Sequence, residues 1–177
     1  SCWFYTNNGA NTNPDLNYIQ KNFLQQEMID LGAGSYPVFF DHNSDGLEDL
    51  IVGNYGYHQM GGNPSSKLAL FTNTGNNVKP NYVLENRDWQ NLSQINLNIN
   101  LNIPALNLIP SFGDLDNDND QDMILGDANG KLHYFTNNGT NPASFTISQP
   151  NYNNIDVGYF ASPQIIQPAK TLSSNFF

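Results

Sequence analysis

Residues 39–53 read FFDHNSDGLEDLIVG and residues 112–126 read FGDLDNDNDQDMILG, two copies of one layout. Aligned on their apolar ends, Asp41, Asn43, Asp45 and Asp49 fall over Asp114, Asp116, Asp118 and Asp122. Carboxylates at every second residue repel one another unless something positive lies among them. Each acidic run then passes without a spacer into a short apolar stretch of strand length. A chain carrying this unit twice must curl each acidic run into a loop and bury the stretch that follows.

A second repeat surrounds the first. CWFYTNNG, LALFTNTG and LHYFTNNG end at Gly9, Gly75 and Gly139, and each alternates aromatic and aliphatic residues before Thr-Asn-x-Gly, the pattern of a strand running into a turn. YPVFFD and IPSFGD precede the two acidic loops, and SPQIIQ (residues 162–167) is a third version with Gln167 in place of the first aspartate. LNYIQKNF, NYVLENRD and ASFTISQP supply a last strand to each unit. Four short strands in roughly 65 residues predict an all-β chain of four-stranded antiparallel blades, as in part of a β-propeller. The units divide as residues 1–30 (the end of one blade), 31–100 (a blade with its loop at 41–49), 101–155 (a blade with its loop at 114–122) and 156–177 (the start of a degenerate or truncated further blade). Residues 23–32 have helical preference, but their place in the repeat predicts strand. Residues 91–110 alternate Leu or Ile with Asn or Gln, which suits an edge strand.

The charge is lopsided, with 6 Lys plus Arg against 16 Asp plus Glu and a formal net of −10. Eight of the thirteen aspartates lie in the two acidic stretches, so the excess is local. Without a basic patch the chain is a poor partner for nucleic acid or for an anionic membrane surface. No apolar run is long enough to span a membrane. The single cysteine, Cys2, excludes an intrachain disulfide and a thiolate cluster. The first residues lack a basic segment followed by an apolar one, so they read as the interior of a longer array rather than as a signal peptide.

Hard divalent cations take oxygen ligands, and calcium accepts six to eight of them in a flexible arrangement. In the first loop the candidate ligands are Asp41, Asn43, Asp45, the Leu47 carbonyl and Asp49, with Gly46 at the bend. In the second they are Asp114, Asp116, Asp118, the Asp120 carbonyl and Asp122, with Asn119 at the bend. Asparagine tolerates the left-handed conformation that such a bend requires. An EF-hand would need a bidentate Glu at position 12, where this chain has Val52 and Leu125, so that motif is excluded. The expectation is about two calcium ions in a structural role, neutralising the carboxylates and coupling ion binding to folding.

The pattern D-x-[DN]-x-D-[GN]-x-x-D, followed by an apolar strand and glycine and preceded by Pro37 or Pro110, resembles the FG-GAP/VCBS repeat family. That resemblance implies calcium-binding blades of an integrin-α-like β-propeller in a secreted or cell-surface protein, and the Asn-rich style is similar to that of secreted Bacteroidetes proteins. It does not extend to residues 167–177, which contain no aspartate.

The loop at residues 53–67 is nine residues longer than its counterpart at 126–131, and its Tyr55, Tyr57 and His58 are candidates for contact with a glycan or a protein. No nucleophile motif is present, and His42, His58 and His133 are scattered. The sequence therefore points to a non-enzymatic calcium-binding segment acting in adhesion, protein interaction or surface assembly. Its partners would be a protein, or further blades of the same or another chain. The alternative is a carbohydrate-binding or hydrolase-associated module.

Overall fold

In the computed structural model, residues 3–10, 12–21, 30–57, 65–95, 97 and 106–166 are described. They form ten strands: β1 (Trp3–Asn7), β2 (Leu16–Lys21), β3 (Tyr36–Phe40), β4 (Asp49–Gly53), β5 (Leu68–Asn73), β6 (Tyr82–Asn86), β7 (Ile109–Gly113), β8 (Asp122–Gly126), β9 (Leu132–Asn137) and β10 (Phe145–Gln149). Two short 3-10 turns follow β6 and β10, and no α-helix occurs among the described residues. The chain divides into two compact units, Ser1–Asp30 and Leu31–Phe177.

The first unit holds the hairpin β1–β2, with a bulge between Phe4 and Tyr5 and an edge-on Tyr5–Tyr18 contact at 5.7 Å. The second unit holds two antiparallel meanders of four strands, ordered β3-β4-β5-β6 and β7-β8-β9-β10, so the all-β expectation is met. In each meander the second strand is the acidic loop's apolar run. It pairs on both edges, with Ile51 opposite Val38 and Leu70, and Ile124 opposite Ser111 and Tyr134. A strand covered on both edges and both faces reads as continuously apolar. The third strand alternates instead: Leu68 and Leu70 point to one cluster, Ala69 and Phe71 to another.

The recurring Thr-Asn-x-Gly closes each hairpin through one device. The Asn side-chain oxygen accepts backbone N–H groups across the turn: Asn7 from Gly9 and Asp15, Asn73 from Gly75 and Asn81, Asn137 from Gly139. Asparagine favours such turns because its side chain mimics a backbone acceptor.

One core joins the two meanders of the second unit. Ile51, Leu68 and Leu70 of the first meet Met123, Leu125 and Phe135 of the second. At its end Phe40 stacks on Phe112 at 4.4 Å, and Trp89 packs edge-on against Phe145. Gly53 lets the second repeat approach: a Cβ there would lie 2.0 Å from the Leu108 carbonyl oxygen. The contact recurs one repeat later, where a Cβ on Gly126 would lie 2.2 Å from the Ala161 oxygen. Backbone bonds recur with it, Leu108 and Asn107 donating to Asn54 and Tyr55, and Ala161 and Phe160 donating to Asp127 and Ala128. The corner residues Gly34, Asn107 and Phe160 all have left-handed φ, at +68°, +59° and +55°. Residues 159–166 thus meet the second meander as β7 meets the first.

One sequence expectation is corrected. The start of the Leu/Asn-alternating run is not an edge strand, because Trp89–Gln94 forms a 3-10 turn in which Gln90 and Asn91 take positive φ. Burial of Trp89, Leu92 and Leu97 in the shared core outweighs the two-residue alternation. Residues 96 and 98–105 of that run lie outside the described residues, as do 22–29; of the strand expected over 23–32, Asp30, Leu31 and Gly32 are described and form no strand.

Candidate metal centre

Each acidic loop connects the first and second strands of its meander, β3 to β4 and β7 to β8. The first aspartate of each loop anchors the curl by accepting N–H groups from residues further on. Asp41 takes those of Asp45 (3.2 Å) and Gly46 (2.9 Å), and Asp114 takes those of Asn117 (2.7 Å) and Asn119 (3.3 Å). Within the curl Asp45 accepts the Leu47 N–H, and Asp118 accepts the Asp120 N–H, each at 2.8 Å. The bend residues have matching backbones, Gly46 at φ +84° and Asn119 at +75°, as the asparagine's tolerance of that region leads one to expect.

In the second loop one carboxylate oxygen from each of Asp114, Asp116 and Asp118 lies within 4.8 Å of the others. Two ligands on opposite sides of a calcium ion at 2.3–2.6 Å stand about 5 Å apart, so these three oxygens fit around one such cation. Desolvation, reinforced by the charges of Asp122 and Asp118, holds the Asp116 carboxyl above its ordinary range. In the first loop Asn43 stands where Asp116 stands in the second. Its amide N–H₂ donates to Asp45 at 2.9 Å and its carbonyl oxygen accepts the Asp45 N–H at 3.1 Å.

Asp49 and Asp122, the ninth residues of the loops, sit beneath them and are fully buried. Asp49 accepts the His42 and Asn73 N–H groups at 3.1 and 2.8 Å. Asp122 accepts the Leu115 and Asn137 N–H groups at 3.2 and 2.9 Å, and the Tyr134 hydroxyl at 2.9 Å. Both carboxylates therefore fasten the loop to the third strand. Burial, with Asp122 alongside, raises the Tyr134 hydroxyl above its ordinary value.

The longer hairpin is placed as follows. Tyr55 is exposed and its backbone carbonyl holds Asn107, while Tyr57 bridges to Ser65 with its hydroxyl buried and the Lys67 ammonium 5.9 Å from its ring centre. His58 lies outside the described residues, as does Gln167 at the expected third loop. His42 is buried against Trp89, packing the junction between repeats.

Sequence spacing did not reveal the buried pair Asp127–His133, whose side chains are 3.3 Å apart at zero exposure. Asp127 occupies the place of Asn54, which instead accepts Ser66 and Lys67. His133 replaces Ala69, and the two substitutions would have been legible only as a pair. Among the described residues no helix is long and apolar enough to cross a membrane. Comparison with protein-family models, with curated proteins and with solved structures finds no match.

Proposed function

We propose that this chain is a calcium-stabilised segment of a β-propeller-type array that acts without catalysis, outside the cell or at its surface, in adhesion, protein interaction or surface assembly. The observation that carries this reading is the matching curl of the two loops, with three carboxylates of the second gathered within the span of one hard cation. Asp114, Asp116 and Asp118 would hold the ion in the second loop, and Asp41, Asn43 and Asp45 in the first. Bound there, calcium supplies the positive charge that such carboxylates lack. The ordered loop then clamps the first strand to the second, coupling ion binding to folding.

Support for the FG-GAP/VCBS-type reading comes from the repetition of whole junctions: the glycine contact, the left-handed corner and the paired backbone bonds recur from one repeat to the next. In a repeat array each unit buries its face against a neighbour, and further blades of the same or another chain would continue that series. The test is calorimetric calcium titration, with thermal unfolding followed in calcium and in chelator. About two sites and a melting temperature that rises with calcium are expected. Absence of both binding heat and a thermal shift would refute the calcium reading.

The glycan-binding alternative rests on exposed Tyr55 in the longer hairpin. Glycan-array binding lost in Tyr55→Ala would favour it over a purely proteinaceous partner.

A further inference from the structure

The two acidic loops share a curl but differ at the position that decides how many charges meet there. In the second loop one oxygen from each of Asp114, Asp116 and Asp118 gathers within 4.8 Å of the others. In the first loop Asn43 stands in the place of Asp116, so the corresponding set is two carboxylates and one amide. Over the whole loops the count is four carboxylates (Asp41, Asp45, Glu48 and Asp49) against five (Asp114, Asp116, Asp118, Asp120 and Asp122). Calcium sites built from oxygen ligands are tuned over orders of magnitude by that charge count.

Hydrogen bonding sharpens the difference. Both loops carry the same backbone bond at this position: the Asp45 N–H donates to the Asn43 side chain at 3.1 Å, and the Asp118 N–H donates to the Asp116 side chain at 3.2 Å. The Asn43 amide N–H₂ also donates to the Asp45 carboxylate at 2.9 Å. An ionised Asp116 only accepts, so it offers Asp118 no such bond. In the first loop the amide therefore does part of what a cation would do, placing a donor against a carboxylate. A cation entering there meets less charge and has to displace that donor from Asp45, whereas the three carboxylates of the second loop have no donor of this kind among them.

We propose that the loops fill in order: residues 114–122 bind calcium first, and residues 41–49 fill at a concentration at least tenfold higher. The first loop then responds to changes in calcium that leave its neighbour saturated. Asn43 sets the gap, because it both lowers the charge of the first loop and satisfies Asp45 without an ion. This ranking rests on the calcium reading above and adds to it a division of labour between the two sites.

The test is a calcium chloride titration of the 177-residue protein, starting from chelator-treated material and followed in amide NMR spectra. The Gly46 amide reports the first loop and the Asn119 amide the second. Asn119 is expected to saturate first, with the Gly46 midpoint at least tenfold higher in calcium. Asn43→Asp should close most of that gap by tightening the first loop, and Asp116→Asn should close it by weakening the second. Glu85→Gln, which removes an exposed carboxylate outside both loops, should leave the two midpoints unchanged. The parent titration decides the order without any substitution. Simultaneous filling, or Gly46 before Asn119, overturns the ranking while the calcium reading stands, and shifts at neither amide overturn both. A folded Asn43→Asp variant whose first loop binds no more tightly than the parent's also overturns the proposal.

Discussion

Asp122→Ala deletes a fully buried carboxylate that accepts the N–H groups of Leu115 and Asn137 and the Tyr134 hydroxyl. The hydroxyl belongs to a half-buried ring and can turn toward water, but the two backbone donors cannot move. A buried donor left unpaired costs about 1–3 kcal/mol; the Asn137 N–H is buried and the Leu115 N–H only part-buried, so the loss is at least about 1–3 kcal/mol, a large part of the roughly 5–15 kcal/mol that holds a domain together. This loss is expected without calcium. Asp118→Ala is the contrast: its side chain is exposed and accepts the Asp120 N–H within the loop, and its removal also relieves repulsion on Asp116. Urea unfolding in chelator should show Asp122→Ala well below the parent protein and Asp118→Ala within about 0.5 kcal/mol of it. In calcium the Asp118 variant should lose the ion-dependent gain at its loop. Equal losses for the two variants in chelator would refute the assignment of Asp122 as a buried fastener distinct from the exposed loop aspartates.

Gly53→Ala should push the two meanders of the second unit apart at Leu108 and cost at least about 1–3 kcal/mol by denaturant unfolding, whereas Gly46→Ala should leave that junction intact. Phe40→Ala, deleting a ring that touches Phe112, Phe145 and Trp89, should cost about 3–5 kcal/mol in the same assay. Because the Asp116 carboxyl sits above its ordinary value, the ion-free protein gains stability as pH falls through that raised value. Calcium, which needs the ionised form, should bind more weakly over the same interval, and titrations at stepwise lower pH should show this dependence reduced in Asp116→Asn. The Lys131 ammonium, 2.6 Å away, holds Asp156 below the ordinary 3.8, so its contribution is present above that value and lost as pH falls through the lowered one. NMR titration of Asp156 should move upward in Lys131→Met.

Much of the local structure was legible because it is set by neighbours in the chain. Asp at alternate positions, a bend residue able to take positive φ, and an apolar run predict a loop followed by a buried strand, and residues 41–53 and 114–126 form this arrangement. Thr-Asn-x-Gly likewise carries its own turn, because the asparagine acceptor and the N–H groups it satisfies are close in sequence. The Leu/Asn run misled where long-range burial of Trp89 and Leu92 outweighed local alternation. Spacing reads the ninth aspartates as ligands, and their depth and attachment to the third strand are visible only in the structure.

The sequence by itself determined the repeats, the strand order within each, and the residues that can face a hard cation, since all of these depend on short-range spacing and side-chain chemistry. Tertiary structure decided that Phe40 and Trp89 cover Phe112 and Phe145, why Gly53 and Gly126 must lack a Cβ, and why Asp127 is matched by His133 where Asn54 is matched by Ser66. Those outcomes depend on atoms brought together from distant parts of the chain. Their energies come from exclusion of water and from close packing, which no local pattern records.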